Sequence, residues 1–200
     1  MEWSGRQKGP DHKNEQAKSN TLKSFNSLVA VAAVKKNFKS FESIIDSQGF
    51  NFRKSTQEES KEDIDYVVWD PKNLAIIFAV SLKNTLLKKS KKRKHLWGWV
   101  ELKDSYGKDG WLYRKCTYVV YERKNDFVLV FRKGLRDWIQ KENKPRYDLP
   151  FVSSSWQAAY RLYRRPETGE AIFHLKISDA LKNCSHKIWK KDEGSSWSSF

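Results

Sequence analysis

Cysteine is nearly absent. Cys116 and Cys184 are the only two in 200 residues, so a disulfide framework is not expected and a reducing compartment suits the chain. Thiolate metal centres are set aside for the same reason. The four histidines, His12, His95, His174 and His186, lack zinc-type spacing, and Cys184 with His186 reads as an isolated structural pair. Long apolar runs are missing too. None reaches about 18 residues, and the first residues carry no apolar stretch of a secretory leader, so the expectation is a soluble, intracellular chain without a membrane partner. Acidic side chains are the third shortage: 24 Asp and Glu face 39 Lys and Arg, a formal charge of +15. Residues 1–20 hold four basic and three acidic groups, so only +1 of that charge lies there. Such an excess makes a polyanion the leading partner class, because cations that neutralise phosphates release condensed counterions. The plain alternative is a basic protein whose charge serves solubility.

The length fits one domain. Residues 1–20 mix Gly, Pro, Asn, Gln and charge without period and read as a disordered arm; 194–200 is a Ser-rich flexible tail; 21–193 is expected to be the single domain. From Thr21 to about Asp46 the spacing of Val31, Val34, Phe38, Phe41 and Ile45 predicts a long amphipathic helix. Tyr66–Trp69 and Leu74–Leu82 read as strands joined by the turn residues Asp70 and Pro71, the second strand apolar enough to be central and covered on both faces. Further strands are expected at Leu96–Leu102, Cys116–Glu122, Phe127–Phe131 and Ala171–Ile177. Helices are expected near Gly134–Ile139, over Trp156–Tyr163, and after Ser178.

The segment Asp65–Lys83 carries the chemistry. Asp65 stands at the mouth of one strand, sixteen residues before Ser81, and Ser81 and Lys83, two apart, share a strand face that the hairpin returns toward Asp65. A carboxylate beside a lysine is what metal-dependent phosphodiester hydrolysis requires: an acid for Mg²⁺ and an ammonium for the nucleophile or the developing charge. Residues 88–94, with Lys88, Lys89, Lys91, Lys92, Arg93 and Lys94, form a block of like charge that leaves this hairpin five residues after Lys83. It reads as a phosphate-contacting loop, a solvated loop or an import patch. Arg161, Arg164 and Arg165 form a second basic cluster.

A long helix, an Asp at a hairpin start and an x-Lys at its end resemble the PD-(D/E)XK nuclease superfamily. The run Trp97-Gly98-Trp99-Val100-Glu101-Leu102-Lys103, then Gly107 and Gly110-Trp111-Leu112-Tyr113, resembles small phage and virus proteins of that superfamily with a WVE and GW(L/Y)Y block. Their upstream E-x-x-D-Y and D-V-K fall here on Glu62–Tyr66 and Ser81–Lys83, and the likeness spans roughly residues 60–140. The resemblance implies an α/β fold with a restriction-endonuclease-like core, a mixed central β-sheet flanked by helices. It implies a Mg²⁺- or Mn²⁺-dependent DNA endonuclease, duplex DNA as partner, and a homodimer as one assembly compatible with it. Two positions depart from the pattern: Ser81 replaces a metal-binding acid, and Thr117 stands where another aspartate is usual. Glu101, in its own E-x-K, is the expected rescue. Asp65 and Glu101 would hold the metal, with Lys83 at the attacking water and Ser81 in the vacated ligand place. A catalytically inactive nucleic-acid-binding module of the same fold and a basic protein-interaction factor are the alternatives. Trp97, Trp99 and Trp111 read as core aromatics, with base stacking as the functional option.

Overall fold

The computed structural model describes residues 38–75, 77–83, 85–87, 96–142 and 144–191. The chain divides into two compact units, Met1–Lys39 and Ser40–Phe200, and the second is the one described below. The arm at 1–20, the tail at 194–200, the basic block at 88–94 and most of the predicted Thr21–Asp46 helix lie outside the described residues.

Residues 38–47 are helical (α1). Phe41, Ile44 and Ile45 are buried along one face at the i, i+3, i+4 spacing that the sequence predicts. Next come β1 (Asn51–Lys54), the short α2 (Gln57–Lys61), β2 (Tyr66–Trp69), β3 (Ile77–Lys83), β4 (Thr85–Leu87) and β5 (Leu96–Lys103). A 3-10 turn at Trp111–Tyr113 leads to β6 (Tyr118–Glu122), β7 (Asp126–Phe131) and α3 (Arg132–Lys141). After a second 3-10 turn, Ser155–Gln157, the chain closes with β8 (Tyr163–Arg164), β9 (Ala171–Lys176), α4 (Ile177–Asn183) and β10 (His186–Lys190).

Six strands form a mixed sheet in the order β1-β2-β3-β6-β7-β10. Only β3 and β6 run parallel within it. The mixed central sheet with flanking helices is as expected, and β3 lies inside it. Four strands, β4-β5-β9-β8, make a second, antiparallel sheet. On one face of the large sheet, Phe41 of α1 packs edge-on against Phe127 at 5.1 Å and stacks on Trp189 at 5.9 Å. On the other, Val119, Tyr121, Val128 and Val130 share a buried cluster with Val100, Leu102, Phe173 and Leu175 of the small sheet and with Leu135 and Ile139 of α3. Gly98 lets the two sheets meet, since a Cβ there would stand 2.5 Å from the Tyr121 ring. Among the described residues no helix is long and apolar enough to cross a membrane.

One predicted element is replaced. Instead of a helix over Trp156–Tyr163, a 3-10 turn is followed by an isolated bridge from Ala159 to His174 and by β8. Tyr160 takes a left-handed backbone (φ 52°), and its N–H donates to the His174 carbonyl at 2.9 Å. Its hydroxyl accepts the Lys176 N–H at 3.1 Å and bonds the Asp179 carboxylate. These long-range bonds override the local helical period.

Candidate active site

The β2–β3 register pairs Tyr66 with Val80, so the preceding residue, Asp65, comes to stand against Ser81. The Asp65 N–H donates to the Val80 carbonyl at 2.8 Å and prolongs the ladder by one bond. Three of the predicted residues therefore meet where β3 ends: Asp65, Ser81 and Lys83. Asp65 Oδ2 accepts the Leu82 N–H at 2.7 Å and lies 3.3 Å from Ser81 Oγ. Burial is the main influence on this carboxyl and pushes its pKa up; the Leu82 N–H and then the Lys83 charge oppose it.

Asp63 is the residue that sequence reasoning missed. A capping box at Thr56 and Glu59 starts α2, and at its far end the Ile64 N–H returns to the Glu59 carbonyl at 3.1 Å. Asp63 sits in that return with a left-handed backbone (φ 59°), an uncommon state for a residue with a side chain. Its carboxylate accepts both the Ser81 hydroxyl at 2.8 Å and the Lys83 ammonium at 2.6 and 2.7 Å. Ser81, 1% exposed, thus bridges two carboxylates with one hydroxyl. The available signal was the Asp-x-Asp spacing of Asp63 and Asp65 at the end of a short polar helix.

Lys83 is held from a second side. Its Nζ lies 5.2 Å from the centroid of Trp111, which is 5% exposed. Burial first, then the charge of Glu170, raises the Glu101 pKa, while the Lys83 charge and then the Trp111 backbone N–H lower it. Glu101 therefore stands within the electrostatic reach of Lys83 and Asp63. One ion pair and one hydrogen bond fasten the end of this turn to α2: Lys115 reaches Glu62 at 3.2 Å, and Arg114, itself paired with Asp104 at 2.8 Å, donates to the Lys61 carbonyl at 3.4 Å.

The other predicted residues are placed as follows. Thr117 closes the β3–β6 junction, its N–H donating to the Ala79 carbonyl at 2.7 Å and its Oγ1 accepting the Ala79 N–H at 3.2 Å. Trp97 meets Tyr160 edge-on, and Trp99 meets His174 with centroids 4.1 Å apart. Arg161 donates to the Pro150 carbonyl at 3.1 Å, Arg165 pairs with Glu170 at 2.7 Å and lies over Trp99, and Arg164 lies over Phe151. Cys116 and Cys184 are buried free thiols.

The donors at the centre are hard oxygens of the kind that suit Mg²⁺ or Mn²⁺. Among the described residues no group of three or more His, Cys, Asp or Glu side chains is arranged to hold a metal ion. Asp63 and Asp65 share the Ser81 hydroxyl, and Mg²⁺ sites commonly use one or two carboxylates, with water and substrate phosphate completing the shell. Comparison with protein-family models, curated proteins and solved structures gave no match.

Proposed function

We propose that this chain is a metal-dependent DNA endonuclease of the PD-(D/E)XK type, working through Asp63, Asp65 and Lys83. The observation that carries the reading is the meeting of two carboxylates, a bridging hydroxyl and a lysine within hydrogen-bond distance at the end of β3. Asp63 supplies the acid that Ser81 lacks. Its carboxylate lies 2.8 Å from the serine hydroxyl, so an acid stands beside the place where the resembled motif carries one.

Asp63 and Asp65 would hold a Mg²⁺ or Mn²⁺ ion, with Glu101 behind the 3-10 turn adding negative charge. When bound, the ion supplies Lewis-acid polarisation of the scissile phosphate. Ser81 keeps the two carboxylates a fixed distance apart. Lys83, freed from Asp63 once that charge is neutralised otherwise, donates to the attacking water or to a phosphate oxygen and offsets the charge that grows there. The Trp111 ring restricts where the ammonium can go and shields it from bulk water.

A second reading has its own observation. The ion pair of Lys83 with Asp63, at 2.6 Å, already neutralises one carboxylate without a metal, as expected of a silent DNA-binding module. Supercoiled plasmid separates the two. An endonuclease converts it to nicked circles with Mg²⁺ or Mn²⁺, stops with a chelator, and loses the activity as Lys83→Ala. A silent module retards the plasmid in a gel and leaves it intact.

A further inference from the structure

A cavity of about 290 Å³ opens where β5, β8 and β9 meet the first 3-10 turn. That is just under the roughly 300–1,000 Å³ usual for small-ligand sites, sized for one ring system rather than an extended molecule. Leu102 and Leu162, both buried, form its apolar part. Tyr113, Tyr147 and Phe151 line it with rings. Tyr147 is 48% exposed and Phe151 44%, so two large aromatic faces stand half open at the surface. Burial, followed by the neighbouring Tyr113, pushes the Tyr147 phenol up to about 12, so the Tyr147 hydroxyl keeps its proton at neutral pH.

The charge around the cavity has one sign left over. Lys103 and Asp109 neutralise each other at 2.7 Å. Arg164, exposed on β8, lies 5.1 Å from the Phe151 ring and has no carboxylate partner among the described residues. Apolar floor, open aromatic faces and one uncompensated guanidinium at the rim are the features that hold a base by stacking and its phosphate by charge. An aliphatic ligand gains nothing from the rings' faces or from the arginine. The cavity and the proposed reaction centre share the 3-10 turn: Tyr113 lines the cavity, and Trp111, two residues earlier, lies against Lys83.

We propose that this cavity receives one unstacked base of a single-stranded or locally opened nucleic-acid strand, with Tyr147 and Phe151 as stacking faces and Arg164 on the adjoining phosphate. The proposal rests on the reading of the chain as a nucleic-acid enzyme, and adds that it works on an opened strand. The test is equilibrium binding of the full chain to a single-stranded oligonucleotide carrying 2-aminopurine, followed by anisotropy and by 2-aminopurine emission. Binding should change the emission. Phe151→Ala and Tyr147→Ala should each weaken affinity by about fivefold or more and remove the emission change, the loss expected of one stacked base. Phe151→Trp should bind within about twofold of the wild type because it keeps a ring. Arg164→Gln should lower the slope of log affinity against log salt by about 0.7, the share of one phosphate on a single strand. Melting temperatures equal to the wild type within about 2 °C would show that these half-exposed positions leave the fold intact. Phe151→Ala and Tyr147→Ala binding like the wild type, with unchanged emission, would overturn the cavity's role while leaving the nuclease reading standing. Failure of the wild type to bind any polynucleotide would overturn both.

Discussion

Ser81 sits between two carboxylates that share its hydroxyl. A buried hydroxyl between two carboxylates leaves no room for a third charge, and Asp63 occupies the space that a longer acid at 81 would need. Ser81→Asp should therefore lower the melting temperature in a chelator and recover part of the loss with Mn²⁺, as thermal denaturation with and without metal would show. Asp65 carries a pH consequence. Its folded-state pKa lies above the ordinary 3.8, so the folded chain keeps this proton to higher pH than the unfolded chain does. The contribution is present below 3.8, and stability falls as pH rises from there through the raised folded value. Asp65→Asn removes that loss while its amide oxygen still accepts the Leu82 N–H. The variant should melt a few degrees above the wild type at pH 7 without metal, the gap closing below pH 3.8. An unchanged gap across that range would count against a buried, proton-retaining Asp65.

The elements show which parts of this architecture the residue pattern encodes. β2, β3, β6 and β7 announce themselves as apolar runs because they lie within a sheet covered on both faces, and α3 because Leu135, Trp138 and Ile139 share a face. β1 (Asn-Phe-Arg-Lys) and β10 (His-Lys-Ile-Trp-Lys) stand at the sheet's edges, with mostly exposed residues, and exist through pairing with β2 and β7. Local pattern carries little trace of that. The same holds for the site. The hairpin positions of Asp65, Ser81 and Lys83 were legible from strand alternation, whereas Asp63 depends on a left-handed backbone position after α2 that no period encodes. The glycine of the Gly110–Tyr113 run has a plain physical reason: a Cβ at Gly110 would lie 2.5 Å from the Glu101 carbonyl oxygen. Gly110→Ala should cost about 1–3 kcal/mol in denaturant melts and disturb the Trp111 contact to Lys83. If the variant is as stable as the wild type, the 3-10 turn is looser than its packing implies.

For the whole molecule, +15 formal charge predicts duplex binding that weakens steeply with salt, by about 0.9 in log–log slope for each phosphate neutralised. Residues 88–94 carry six of the cations. Replacing them with Ser and Gln should lower affinity for unrelated duplexes alike and flatten the salt slope, which titrations at several salt concentrations would reveal; equal affinity would remove this block from the interface. Residues 1–20 add a formal +1 and no periodic apolar pattern, so their deletion should leave the melting temperature within about 2 °C of the full chain.

The most direct measurement compares Mn²⁺-dependent nicking of supercoiled plasmid by the wild type, Asp63→Asn and Ser81→Ala under identical conditions. With Asp63 acting as a metal-holding acid, Asp63→Asn should fall by about 100-fold or more while still retarding the plasmid, since a ligand to the reacting centre contributes several kcal/mol. Ser81→Ala should keep activity within about tenfold, because it removes a spacer and no charge. Nicking by Asp63→Asn at the wild-type rate, or a wild type that binds the plasmid and never nicks it, would contradict the assignment of this site as a phosphodiesterase centre.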